Sequence, residues 1–133
     1  MILIFSMKSE VVNRISASIS ESYAVCESTA QLVRDVRRKT SSHLVIVGED
    51  VSETDAIEAA KEIQLLDPSM GVLLLRHRVD LGITTAAMAA GIKAVLSYSD
   101  VEGLARTAQE LTEFTRTMRS RGGESRELVS SGK

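Results

Sequence analysis

Four places in this 133-residue chain set side chains capable of chemistry at the end of a short apolar run. Ser6, Met7 and Lys8 follow "ILIF", and Gly48, Glu49 and Asp50 follow "LVIV". Arg76, His77 and Arg78 follow "GVLLL", and Tyr98 and Ser99 follow "AVLS". Adjacent carboxylates at the end of a buried strand are suited to a divalent ion or a phosphoryl group. A magnesium site, however, takes several oxygen ligands around a small hard cation. Glu49 and Asp50 are the only acids at the expected rim, and Arg76 is their expected neighbour. An arginine there opposes a cation and suits a charge-assisted pair. Glu49 and Asp50 therefore read as a solvated loop, or as an ion pair with Arg76 that fixes the loop. No metal is expected.

Other chemistries fare no better. "SMKSEVV" sets a Ser and a Lys near a helix start, where an anion would be favoured. It lacks the glycine that lets backbone approach a phosphate, and no G-x-x-x-x-G-K occurs. His43 and His77 have no Cys or Asp at partnering distance, and no G-x-S-x-G elbow accompanies them. The single Cys26 rules out an intrachain disulfide and reads as a buried thiol. No catalytic residue and no cofactor is expected. The net charge of −2 gives no footprint for nucleic acid. No apolar run approaches the ~20 residues of a membrane helix, and "MILIFSMK" is too short for a secretory signal. A cytoplasmic location is expected.

Five apolar runs, 2–5, 23–26, 44–47, 71–75 and 94–97, are continuous rather than alternating, as in strands covered on both faces. Helical period fills the gaps. Val12, Ile15 and Ile19 form one stripe, Leu32, Val33 and Val36 a second, and Ile57, Ala60 and Ile63 a third. Ser52 with Asp55 resembles a capping box. "DPSMG" ends the third helix, and Gly91 suits a left-handed cap on the fourth. The last helix begins near Asp100, with Val101, Leu104, Ala108, Leu111 and Thr115 on its buried stripe. Strand and helix alternate five times, which predicts a doubly wound parallel α/β sheet of order 2-1-3-4-5 with helices on both faces, the flavodoxin-like arrangement. Ligands in such a sheet bind at the carboxyl ends of the first and third strands, where strand order reverses. Residues 1–119 form the expected domain, and 120–133 a Gly/Ser-rich flexible tail or linker.

"HLVIVGED", "GVLLLRH" and "AAMAAGIKAVLSYSD" together resemble the response-regulator receiver domain. That family carries an acidic pair after the first strand, a phosphorylatable Asp after the third, Thr or Ser after the fourth and Lys after the fifth. Here the acidic pair falls on Ser6 and Met7, the phosphoacceptor on Gly48, the hydroxyl on Arg76 and the lysine on Tyr98. Every functional position is substituted, so the resemblance implies a receiver that has lost its phosphorylation site. An acyl phosphate requires a carboxylate nucleophile, which glycine lacks. The chain is more narrowly similar to the N-terminal domain of TadZ/CpaE-like proteins. Their second domain is a MinD/ParA-type, septum-site-determining-like ATPase, and they are implicated in placing pilus-assembly machinery at the cell pole. That likeness implies an attached or separate ATPase domain as partner.

A receiver without phosphorylation is left with its surfaces. Leu81, Thr85 and Met88 fall on the outer side of the fourth helix, and Phe114 and Met118 lie near the end of the fifth. These five are the candidate interface of a homodimer. Arg116, Arg119 and Arg121 make the distal end basic and read as a solvated face. Two alternatives to an interaction module are a receiver phosphorylated on Glu49 or Asp50, and a small flavodoxin-like ligand-binding protein.

Overall fold

A computed structural model describes residues 1–38 and 42–131, with 121–131 described as backbone only. Five strands, β1 (Ile2–Phe5), β2 (Tyr23–Cys26), β3 (Leu44–Val47), β4 (Gly71–Arg76) and β5 (Ala94–Ser97), alternate with five helices. These are α1 (Ser9–Ala17), α2 (Thr29–Arg38), α3 (Glu53–Leu66), α4 (Leu81–Ala89) and α5 (Val101–Ser131). All strand pairs are parallel, in the order β2-β1-β3-β4-β5. The predicted doubly wound architecture is the one observed.

The continuous apolar runs are explained by the two layers. Leu3, Phe5, Val45, Val47, Val72 and Leu74 pack with residues of α2, α3 and α4, among them Leu32, Ala60, Ile63 and Ala87. Their neighbours Ile2, Ile4, Leu44, Ile46, Leu73 and Leu75 pack on the other face with Val12 and Ile15 of α1 and Leu104 and Ala108 of α5. A period of two thus serves two cores at once. Each fully buried Ile, Leu or Val contributes about 1.5–3 kcal/mol relative to an exposed one. β2 and β5 are the edges, and β5 is only partly buried along its length.

Local signals bound the helices, with Ser52 and Gly91 as expected and Asp80 in addition. Ser52 Oγ accepts from the Asp55 N–H, capping α3, and Asp80 Oδ1 accepts from the Ile83 N–H, capping α4. Gly91 follows α4 at φ +94°, the left-handed region that favours glycine.

Three expectations are corrected. Val101 does not join the buried stripe of α5 but is 54% exposed, because it opens the helix beyond the sheet edge. The backbone of α5 does not stop near Ser120 but stays helical to Ser131. The glycines at 122 and 123 cost about 1 kcal/mol each, and the Arg, Glu and Leu around them favour helix. Residues 132 and 133 of the expected tail lie outside the described residues. Lastly, the distal basic end is not a free solvated face. Arg119 donates to Ser69 Oγ, the Ser42 carbonyl and Asp67 Oδ2, at 3.0, 2.7 and 2.6 Å. Arg116 reaches Glu21, whose other carboxylate oxygen lies 2.8 Å from His43 Nε2. The side chain of Arg121 lies outside the described residues.

Candidate functional site

The carboxyl rim of the sheet gathers the residues singled out in the sequence. The Ser6 N–H donates to the Cys26 carbonyl, the Gly48 N–H to Phe5 and the Tyr98 N–H to Arg76. Parallel pairing therefore carries the first residue past β1, β3 and β5 to a common level. Arg76, the last residue of β4, pairs with Ser97 there. Ser6, Met7, Gly48, Arg76 and Tyr98 are brought to one rim.

What fills that rim is a set of internal bonds. Asp50 turns back toward β1: its Oδ1 accepts from Ser6 Oγ at 2.9 Å and its Oδ2 from the Met7 N–H at 2.7 Å. Glu49 is 6% exposed and its carboxylate pairs with Arg14 of α1. Arg14 also donates to the Tyr98 carbonyl at 2.6 Å, and its guanidinium lies 5.5 Å from the centre of the Tyr98 ring. The edge of His77 meets the same ring, with centroids 4.8 Å apart.

The ion pair expected between Arg76 and Glu49 or Asp50 is replaced by other bonds. Arg76 donates to the Val51 carbonyl at 2.7 Å and to the Glu49 carbonyl at 3.1 Å. Both loop carboxylates are already engaged elsewhere, so the guanidinium takes the backbone of the loop instead. Arg76 still fixes this loop, as expected, but through carbonyls. The residue missing from the sequence reading is Arg14. A buried glutamate beside a glycine calls for a cation, but Lys8, Arg14 and Arg76 all qualify by sequence. Only the packing of α1 on the sheet selects Arg14.

Gly48 is the first residue past β3, at the switch point of the sheet. A Cβ built there would lie 2.6 Å from Asp50 Oδ1, 2.8 Å from Val11 Cγ1 and 3.4 Å from Ser6 Cβ. The space for a side chain has been taken by neighbours. A magnesium ion of the kind receivers use does not fit these residues. Glu49 and Asp50 are bonded to protein groups, and the guanidinium groups of Arg14 and Arg76 crowd the rim. Among the described residues no group of three or more His, Cys, Asp or Glu could hold a metal. No helix among them is long and apolar enough to cross a membrane.

The five candidate interface residues lie on the surface. Leu81 is 82% and Met88 48% exposed, and Thr85, Phe114 and Met118 are exposed with them. α4 contains no charged residue, yet Ala87 is its only buried one.

Together these observations define a doubly wound α/β domain whose switch-point rim is closed by its own side chains. No protein-family model and no curated protein matches the sequence. Solved structures do match, and several of them are described as receiver domains. A response regulator receiver domain protein from Methanospirillum hungatei superposes with a TM-score of 0.75 at 12% identity, over 88% of this chain and 96% of that one. The signal receiver domain of an HD domain-containing protein from Pseudomonas fluorescens gives 0.77 at 20% identity, over 90% and 91%. A protein from Burkholderia pseudomallei described as pilus assembly-related gives 0.70 at 16% identity, over 85% and 89%. The fold is that of the response-regulator receiver domain.

Proposed function

We propose that this chain is a non-catalytic, receiver-like interaction module that pairs with a second copy of itself and positions an attached MinD/ParA-type ATPase in pilus assembly or in cell-pole or septum placement. The observation that carries the interaction role is α4, a surface helix of nine residues without a charge. A solvent-facing helix ordinarily carries a polar outer face, and contiguous exposed apolar surface marks a contact site. The exposed residues that lead into it carry both signs, Arg78 and Asp80. A mixed border is self-complementary about a two-fold axis, which favours a second copy over a uniformly acidic or basic partner.

The closed rim supports the absence of phosphoryl chemistry. Asp50 and Glu49 are the carboxylates nearest the lost position, and each is held by protein donors. The likeness to the Burkholderia protein supports the pilus-assembly context. Residues 120–133 would connect the module to the ATPase.

Light scattering across a range of concentrations tests the pairing. A dimer that dissociates in the Leu81→Glu/Met88→Glu variant, with the fold kept by circular dichroism, is the expected result. A wild-type monomer at every concentration overturns the pairing. Incubation with acetyl phosphate and magnesium, read by intact mass, tests the loss of phosphorylation. An adduct on Glu49 or Asp50 would restore the signalling alternative.

A further inference from the structure

Arg14 links α1 across the rim to the β5–α5 loop, which follows the strand that α4 packs beside. Its guanidinium pairs with Glu49, donates to the Tyr98 carbonyl at 2.6 Å and lies 5.5 Å from the Tyr98 ring centre. Glu49 is in turn fixed through its own carbonyl by Arg76. The β3–α3 and β5–α5 loops thus meet through Arg14, and Arg76 ties the end of β4 to the first of them. Tyr98, Val101, Val79 and Leu81 are exposed apolar residues on the two loops and helix starts beside it. They add exposed apolar side chains near the rim, interspersed with the charged Arg78, Asp80 and Asp100.

We infer that Arg14 is the positioning residue of the pairing face: by holding the Tyr98 carbonyl and Glu49 together it fixes the β5–α5 loop in the one arrangement that a second copy can meet. The inference rests on the self-association proposed above. Its physical basis is the guanidinium fork, which serves a carboxylate, a carbonyl and a ring face at once. A lysine keeps the charge but is a single point donor and cannot hold all three. The Tyr98 carbonyl and ring have no other cation on them among the bonds of the described residues. Interfaces gain affinity when their loops are ordered before contact, because less ordering remains for the encounter.

The test compares dimer dissociation constants for the wild type, Arg14→Lys, Arg14→Ala, the charge swap Arg14→Glu/Glu49→Arg, and Leu81→Glu/Met88→Glu. Hydrogen exchange at Tyr98–Val101 is followed alongside. Arg14→Lys and Arg14→Ala are expected to weaken pairing about tenfold or more and to speed exchange in that loop. The charge swap keeps an ion pair but cannot donate from position 14 to the Tyr98 carbonyl, so pairing should stay weak even where melting recovers. Arg14→Lys covers the case in which the swap does not fold. Wild-type affinity in Arg14→Ala and Arg14→Lys, with the Leu81→Glu/Met88→Glu dimer broken, overturns the role of Arg14 alone. Wild-type affinity in Leu81→Glu/Met88→Glu, or a monomeric wild type, overturns the pairing face and this inference with it.

Discussion

Asp50 binds Ser6 across the first and third strands, with Ser6 Oγ donating to Asp50 Oδ1 at 2.9 Å. The carboxylate two residues past Gly48 is thereby turned onto the β1–α1 loop, where it also accepts from the Met7 N–H. Both of its oxygens are spent on closing the rim.

Placing an aspartate at position 48 should not create a phosphorylation site. The new Cβ would press on Asp50 Oδ1 and Val11 Cγ1 at 2.6 and 2.8 Å. Gly48→Asp is expected to cost about 1–3 kcal/mol through overpacking. Intact mass after acetyl phosphate and magnesium should show no adduct, and a thermal melt should show the loss.

Removing the Asp50 carboxylate should loosen the β1–α1 loop. Asp50→Ala leaves the Met7 N–H and one bond of Ser6 Oγ without their acceptor. Losing charge-assisted bonds of this kind costs about 1–3 kcal/mol. Urea denaturation measures it, and faster hydrogen exchange at Met7 would place the change.

Acid should weaken the clasp of α5. Burial raises the Asp67 pKa, but hydrogen bonds from Ser69 and Arg119 and the Arg119 charge outweigh it, so the net shift is downward from 3.8. A depressed folded value makes the stabilisation complete above about pH 5 and lost as pH falls through the folded pKa. Denaturation of the wild type and Asp67→Asn at pH 7, 5 and 3 should show a gap that narrows toward pH 3. A gap that stays constant down to pH 3 would refute the linkage.

Thr115 should tolerate, and gain from, the loss of its hydroxyl. Its Oγ1 is buried without a hydrogen-bond partner, and the residue is fully buried in α5. Thr115→Val keeps the shape and removes the unpaired group, worth about 1 kcal/mol. A rise in melting temperature of roughly 4 °C is expected. An unchanged or lower value would mean that the hydroxyl is satisfied.

The strands, the helices and the switch-point location were legible in the sequence, because period and turn residues are local properties. Continuous runs such as "LVIV" marked strands covered twice, Ser52 and Gly91 marked helix ends, and Gly48 marked the end of the third strand. The partners of charged residues were not legible. Arg14 lies 35 positions from Glu49, and Arg119 lies 52 from Asp67, so no spacing rule connects them. The expected pair of Arg76 with the loop acids used the right loop and the wrong atoms.

By itself the sequence determined that a parallel α/β sheet forms and that a glycine, not a carboxylate, follows the third strand, since both follow from residue types at each strand and its end. The tertiary structure alone decided that the rim is closed: α1 brings Arg14 onto Glu49, and the β3–α3 loop swings Asp50 onto Ser6. Those contacts join segments far apart in the chain, and only the packing of helices on the sheet sets which long side chain arrives first.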